Sequence, residues 1–214
     1  MNYSAFIDNI IVLINYDKSS IIILFGVLLL SCEDSISNNS DANEYVNPGD
    51  WVELFNPTSE NIDIGNWVFK DEDNDHNFTI PGNQLMGPGM FLVLCRDTLE
   101  FKDNFPSVIN FAGDLGFGLN GGGELIRLFD SNGNLVDEVV YDDADPWPAE
   151  ADGNGPTLEL IHPSLENDLG ENWKASDIDG GTPGKANSIY NANYSNSIDI
   201  GVIINEINYN SADE

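Results

Sequence analysis

Residues 202–209 read VIINEINY, a run rich in β-branched and apolar side chains. Such a composition predicts a β-strand with Val202, Ile204 and Glu206 on one face. The residues that follow, NSADE (210–214), repeat the character of NSDANE (39–44) near the start of the chain. This repetition predicts a modular, tandem protein in which residues 202–214 begin a second, truncated copy of one module.

The net negative charge of the chain disfavours anionic partners. The 214 residues carry 37 Asp and Glu against 7 Lys and Arg, a net charge of −30. Phosphate backbones and anionic membrane surfaces repel such a chain, so we expect no nucleic-acid partner. Solubility is the simplest role of this charge, and cations are the natural counter-partners. With 41% hydrophobic residues, the chain can bury a substantial core.

The N-terminal segment indicates export. The apolar run IIILFGVLLL (21–30) follows Lys18, and this length suits a secretory signal better than a membrane span of about 20 residues. The next residues complete Leu29-Leu30-Ser31-Cys32, which resembles a bacterial lipobox. We therefore predict a signal segment over 1–32, lipidation of Cys32, and a polar tether over 33–47.

Two alternatives accompany that prediction. Residues 9–30 would otherwise form a single uncleaved N-terminal membrane anchor. Residues 1–17 contain Asp8 and Asp17 without a basic cluster, which indicates a true translation start further downstream. The predicted location is a bacterial outer membrane or cell surface. A Cys32–Cys95 disulfide has no supporting spacing, and Cys95 in FLVLC (91–95) is typical of a buried thiol.

The middle of the chain is a series of short strands separated by turn residues. Asn-Gly between two apolar runs, at 132–133, is a strong hairpin signal. The regular spacing, without sustained helical periodicity, predicts an all-β antiparallel sandwich with one helical turn near 98–105. The predicted strands are 52–56, 66–71, 78–80, 91–97, 124–130, 135–141 and 157–161. Residues 188–201, rich in Asn and Ser, are predicted to be a linker.

Several motifs together resemble the lamin-tail domain family, in the form found in bacterial secreted proteins and lipoproteins. They are GDWVELFNP (49–57), Gly65-Asn66-Trp67, LFDSNGNLVDEVVY (128–141), DPWP (145–148), GPTLEL (155–160) and GTPGKAN (181–187). The resemblance implies an immunoglobulin-like β-sandwich over residues 48–187. It also identifies VIINEINYN (202–210) as similar to the first strand of the family.

One departure from the family pattern has a structural consequence. No such first strand precedes Gly49-Asp50, because residues 33–47 are too polar. The first strand is therefore degenerate or disrupted by the N-terminal prefix, or residues 202–209 fold back and fill the vacant edge.

Candidate site residues are few. Asp71, Asp73 and Asp75 alternate as in the start of a calcium loop, and Ca²⁺ prefers oxygen ligands. The sixth position is His76 and the twelfth is Gly82, so an EF-hand is excluded, and a solvated turn is the alternative. Trp147, in the polar loop 145–156, is the tryptophan predicted to face a ligand. Packing is the alternative for it and for Trp51, Trp67 and Trp173.

Catalytic patterns are absent from the sequence. His76 and His162 are the two histidines, and no zinc-ligand spacing or Gly-x-Ser-x-Gly occurs. Nothing singles out a carboxylate pair among the 37 acids. We therefore expect a non-catalytic cell-surface binding or spacer module without a cofactor, whose partner is an extracellular protein or polysaccharide. The alternatives are an accessory domain of a larger secreted hydrolase and a calcium-dependent adhesion module.

Overall fold

A computed structural model describes residues 48–194 and 201–209, and the backbone of two short strands near the N-terminus. The chain divides into Met1–Glu44 and Tyr45–Glu214. In the first unit, β1 (Phe6–Ile7) pairs antiparallel with β2 (Ile10–Ile11). The rest of the predicted signal and tether, including Cys32, lies outside the described residues. Within the described part of the chain, no helix has the length and apolarity that a membrane crossing requires.

The second unit is built from two principal sheets. Most strands are short and are flanked on at least one side by Gly, Pro, Asn or Asp, as the sequence predicts. The strands are β3 (Trp51–Phe55), β4 (Ile62–Asp63), β5 (Val68–Lys70), β6 (Phe78–Thr79), β7 (Leu85–Met86), β8 (Phe91–Cys95), β9 (Phe111–Gly113), β10 (Gly123–Phe129), β11 (Leu135–Asp142), β12 (Leu158–Leu160), β13 (Trp173–Ala175) and β14 (Ile203–Asn208). One sheet has the order β13-β12-β14-β3-β8-β9 and the other β11-β10-β5-β6, while β4 pairs with β7.

The hairpin of β10 and β11 forms where Asn-Gly predicts it. Gly133 has φ +80°, a conformation that costs glycine little. The Asp130 carboxylate accepts hydrogen bonds from the backbone N–H groups of Asn132 and Asn134, both at 2.8 Å. A hydrogen bond from the Asn134 side-chain amide at 2.8 Å, together with these backbone bonds, lowers the pKa of Asp130 and fixes the turn.

Both sheets contribute to a single main core. Val52, Leu54 and Leu92 come from the six-stranded sheet, and Phe69 and Ile126 from the four-stranded sheet. All five side chains are buried. The mostly β composition and this shared core agree with the predicted immunoglobulin-like sandwich.

The outer face of the six-stranded sheet is also covered. Helix α1 (Thr98–Asn104) begins after Asp97, whose carboxylate accepts hydrogen bonds from the N–H groups of Leu99 and Glu100. The helix places Phe101 over Trp51, with ring centroids 6.1 Å apart. The predicted helical turn near 98–105 is thereby confirmed, and it forms a second, smaller core on this sheet.

Strand β14 lies in the middle of the six-stranded sheet, between β12 and β3. Asn208 is opposite Trp51, and Glu206 is opposite both Glu53 and Glu159, with an irregularity between Ile204 and Glu206. Residues 202–209 are thus folded back into the sandwich that begins at residue 48. A further tandem module stays a prediction.

Two sequence expectations need correction. The sheet is not wholly antiparallel, because β8 and β9 run parallel after the crossover through α1. The linker predicted over 188–201 does not begin at residue 188, because the Ser188 hydroxyl and the Ile189 N–H donate hydrogen bonds to Glu159.

Candidate functional site

Three glutamates form a buried row across the centre of the six-stranded sheet. Glu53 on β3, Glu206 on β14 and Glu159 on β12 occupy paired positions on adjacent strands. Each has 0% of its surface exposed. We call them the carboxyl ladder. Burial of three acids together is costly unless their protons and hydrogen bonds are arranged to offset it.

Glu206 is the central member of the ladder. Its Oε1 accepts hydrogen bonds from the Thr157 hydroxyl at 2.6 Å and from the Thr182 N–H at 2.8 Å. The Thr182 hydroxyl lies 2.6 Å from Glu159 Oε1 and 3.3 Å from Glu206 Oε2. A hydroxyl carries one proton, and the shorter contact takes it. The longer contact is a weaker, second interaction of the same hydroxyl with Glu206 Oε2.

The outer members are held by other groups. Glu159 Oε2 accepts hydrogen bonds from the Ser188 hydroxyl at 2.7 Å and the Ile189 N–H at 3.1 Å. Glu53 accepts from the Gly184 N–H at 2.5 Å and from the Asn205 amide at 3.2 Å. All these donors belong to the chain itself, so the ladder connects the sheet to the segment 182–189.

Burial and mutual repulsion raise the pKa of two acids of the ladder, Glu206 and Glu53. Burial, and then the charge of Glu159, raise the pKa of Glu206 to about 8. Burial, and then the charge of Glu206, hold the pKa of Glu53 well above its ordinary value. At neutral pH the ladder therefore carries fewer negative charges than its three acids would in water.

The segment over the ladder approaches it closely. Gly181 has φ +74°, and a Cβ atom there would collide with Glu206 Oε1 and lie 2.5 Å from Thr157 Oγ1. The motif GTPGKAN (181–187) needs glycine at this position because the backbone rests on the carboxyl group.

The other side of this segment forms one wall of an apolar groove. We define the apolar groove as two adjoining cavities, of about 640 and 410 Å³, that share Gly89 and Phe91. The first is lined by Met90, Phe105, Val108, Ile109, Ile178 and Pro183, and the second by Phe55, Pro57, Pro163 and Tyr190.

Four exposed hydrophobic side chains line this groove. Ile109 is 92% exposed, Ile178 47%, Tyr190 44% and Met90 42%. The rings of Phe55 and Phe91 stack with centroids 4.5 Å apart and are partly exposed. A cluster of exposed apolar groups within a concave surface is typical of an interaction site.

The structure places the candidate calcium residues in a self-capped turn. The Asp71 carboxylate accepts a hydrogen bond from the Asp73 N–H, and the Asp73 carboxylate accepts from the Asp75 N–H. Asp71 Oδ2 lies 2.7 Å from His76 Nδ1, and this hydrogen bond raises the pKa of His76. Over the described residues, no group of three or more His, Cys, Asp or Glu is arranged to hold a metal ion.

The prediction of a ligand-facing Trp147 is wrong. Its side chain is 8% exposed and packs 5.9 Å from the ring of Trp173. Gly170 lies against the same indole, and a Cβ atom there would be 3.0 Å from it. The polar loop around Trp147 encloses the ring because the indole is a large apolar group that joins the main core.

Cys95 and His162 are also part of the interior. Burial raises the pKa of the free Cys95 thiol to about 12, so it stays protonated. His162 is 0% exposed, with Nδ1 2.7 Å from the Ser164 hydroxyl. Its ring stacks on Tyr190 at the edge of the apolar groove.

Comparison with known families agrees with this architecture. The model of the lamin tail domain matches residues 33–143, more than half of the chain. The chain belongs to the lamin tail domain family. A comparison with curated proteins found no match. The matched region of this lamin tail domain contains β3, which carries Glu53, and its neighbour β8. The strands that carry the other two ladder residues, β12 and β14, lie outside the matched region.

Sequence reasoning missed the ladder and the groove. Glu53 and Glu159 each lie between apolar neighbours, in VEL and LEL, and Glu206 lies between Asn205 and Ile207. Strand alternation alone would place such a glutamate in solvent. The motif GTPGKAN gives a weaker indication of the site. Its glycines indicate a segment that packs closely against another part of the chain, but they do not identify that part.

Proposed function

We propose that this lamin tail domain is a non-catalytic binding module whose apolar groove receives a hydrophobic segment of an extracellular protein. The observation that carries the proposal is the concentration of Met90, Ile109, Ile178 and Tyr190 in one concave surface. Apolar area removed from water there would supply about 25 cal/mol per Å² before the costs of association.

The ladder supports a binding role. Its carboxyl groups accept hydrogen bonds from the chain's own Thr157, Thr182, Gly184 and Ser188, and they are fully buried. They hold the groove wall at 181–187 in place. A rigid wall lowers the entropy that binding must offset, which favours a preformed site.

Site-specific photocrosslinking tests the groove. A photoreactive phenylalanine analogue replaces Ile109, which lies in the groove, and in a control it replaces Leu135, which is 48% exposed in the β10–β11 hairpin. We expect the analogue at position 109, and not at position 135, to form a discrete covalent adduct with a partner protein. Adding Ile178→Asp to the position-109 variant should suppress this adduct. The same adduct pattern from both positions would refute the groove as the binding surface.

The membrane attachment is a separate proposal. We propose that Cys32 is lipidated and anchors the exported protein to a bacterial outer membrane or cell surface, and a single uncleaved anchor is the alternative. The lipobox-like Leu29-Leu30-Ser31-Cys32 supports it. Labelling with radioactive palmitate should mark the wild-type chain and not Cys32→Ser. Label that persists in Cys32→Ser would contradict lipidation at this residue.

Two further hypotheses carry their own tests. An accessory role in a larger secreted hydrolase predicts that the crosslink from position 109 joins a catalytic domain of the same polypeptide. Calcium-dependent adhesion through Asp71, Asp73 and Asp75 predicts a higher melting temperature in millimolar Ca²⁺ than in EDTA. An Asp73→Asn variant should then lose that difference, and equal melting temperatures would exclude the calcium hypothesis.

A further inference from the structure

The position of β14 in its sheet does not follow the order of the sequence. Its last residue, Asn208, is opposite Trp51, the first residue of β3, and the Asn208 amide donates a hydrogen bond to the Gly49 carbonyl at 2.6 Å. A strand that directly preceded β3 in a hairpin would have this orientation and register. Instead, β14 follows β13 in the chain and enters the sheet between β3 and β12.

The repeated sequence also indicates that β14 suits the position immediately before β3. NSADE (210–214) follows the strand, and the similar NSDANE (39–44) lies shortly before Gly49 and β3. A strand followed by such a segment is therefore suited to the position immediately before β3. Any copy of VIINEINY that reaches this position meets the same surroundings.

The contacts that hold β14 are all with residues outside residues 202–209. The Ile204 N–H donates to Asp137 Oδ2 at 2.6 Å, and the Asn205 amide donates to Asn187 Oδ1 at 2.7 Å. Glu206 accepts from Thr157 and Thr182, as described. All six residues of β14 are buried. None of these contacts requires the strand to belong to the same polypeptide.

Gly201 is the described residue that immediately precedes this strand region. It is exposed, and a Cβ atom there would meet no other group within 4 Å. The strand therefore enters the sheet from a residue that is not packed against the sandwich.

We propose that the β14 position also accepts residues 202–209 of a second copy of this chain, so that two copies join by exchanging this strand. Reciprocal exchange repeats every contact of the closed monomer and closes a dimer. Its extent depends on chain concentration relative to the effective concentration of the tethered strand, which is on the order of 1 mM for strands joined to their site within one chain.

Disulfide trapping in the full-length chain tests the exchange. Phe55 and Ile203 are partners in the register of β3 and β14. One chain carries Phe55→Cys and another carries Ile203→Cys, both in a Cys32→Ser background, where the remaining Cys95 is buried. After joint incubation just below the melting temperature and then mild oxidation, we expect a disulfide between the two chains. Its yield should rise in proportion to chain concentration below about 1 mM.

Two controls make the outcome decisive. A chain with Leu99→Cys, at a position 76% exposed on α1, replaces the Phe55→Cys chain and reports random collision. A single chain with both Phe55→Cys and Ile203→Cys shows that the pair can be bridged, and once oxidised it should stay monomeric in light scattering. If the double variant forms its internal disulfide while the mixed chains crosslink no more than the Leu99→Cys mixture, the proposal is wrong.

If the double variant forms no disulfide, wild-type chain is incubated in the same way at increasing concentration and measured by light scattering. A dimer that becomes monomeric again only after renewed warming at low concentration supports exchange, and a monomer at every concentration overturns it.

Discussion

At the scale of single residues, the carboxyl ladder controls the segment that forms the groove wall. The closest approach is at Gly181, where the backbone has φ +74° and rests against Glu206 and Thr157. A side chain at this position would have to adopt an unfavourable left-handed backbone conformation. It would also collide with the Glu206 carboxyl, which cannot move far because Glu206 is fully buried.

Gly181→Ala should therefore destabilise the domain strongly. The matched control is Gly116→Ala, because Gly116 has φ +80° but a Cβ atom there would meet nothing within 4 Å. In the control, the left-handed backbone alone should lower the free energy of unfolding by roughly 1–2 kcal/mol. We expect Gly181→Ala to lower the free energy of unfolding by roughly twice that or more, measured by urea unfolding. Equal losses would mean that the segment moves away from the ladder without cost.

Glu206 should make stability depend on pH. Its pKa is raised to about 8, against roughly 4.3 for a glutamate in an unfolded chain. The folded chain thus keeps a proton that the unfolded chain releases. The stabilisation that comes from this retained proton is fully present below pH about 4 and is lost as pH rises through 8. Burial raises the pKa of Glu124 to about 7 and of Asp137 to about 6, so both act in the same direction.

We expect the melting temperature of the wild-type chain to fall between pH 5 and pH 8, the interval between the unfolded and folded pKa values of Glu206. Glu206→Gln has no proton to lose and keeps a neutral group of similar size that can accept from Thr157 and Thr182, so the fall should be smaller. Glu150→Gln removes an exposed acid and should keep the wild-type slope. The same slope in Glu206→Gln would show that this carboxyl is not the titrating group.

At the scale of secondary structure, β14 is the element on which the sheet depends. It separates β3 from β12, carries the central ladder residue, and contributes Ile204 and Ile207 to the main core. Asp137 on β11 accepts the hydrogen bond of the Ile204 N–H, so β14 is also linked to the other sheet.

Ile207→Ala should cost about 2–5 kcal/mol, because Ile207 has 0% exposure and its removal leaves a cavity. Val140→Ala, in a strand residue that is 59% exposed, should stay within about 0.5 kcal/mol of wild type. Urea denaturation at pH 6 measures both. A small effect of Ile207→Ala would indicate that β14 contributes little to the folded state.

Deletion of residues 200–214 should lower the melting temperature clearly. The deletion leaves the facing edges of β3 and β12 without a partner and removes Glu206 from between Glu53 and Glu159. Differential scanning calorimetry measures the effect. An unchanged melting temperature would contradict a structural role for the folded-back strand.

At the scale of the whole molecule, the excess of acidic residues opposes folding. The chain has a net charge of −30, and its 7 Lys and Arg can pair with only a few of its 37 Asp and Glu, as Arg96 does with Asp50 at 3.6 Å. Like charges repel more strongly in the compact state than in the unfolded one.

Added salt should therefore stabilise the protein. Raising NaCl from about 0.01 to 0.1 M shortens the screening length from about 30 to 10 Å, and we expect the melting temperature at pH 7 to rise. The variant Glu138→Lys/Glu150→Lys, which reverses two exposed charges, should respond less. A melting temperature that falls with NaCl would contradict dominant repulsion.

The sequence by itself determined the class of fold, most strand positions, the β10–β11 hairpin and the acidic surface. These features follow from local patterns: alternation, Asn-Gly turn chemistry and composition. Only the tertiary structure decided that Glu53, Glu159 and Glu206 meet, that Trp147 is enclosed and that exposed apolar groups converge in one groove. The ladder depends on strand register across more than 40 residues of sequence, and the enclosure of Trp147 and the groove depend on how loops pack against distant elements. For VIINEINY, local pattern predicted a strand, and long-range pairing decided that it lies between β12 and β3.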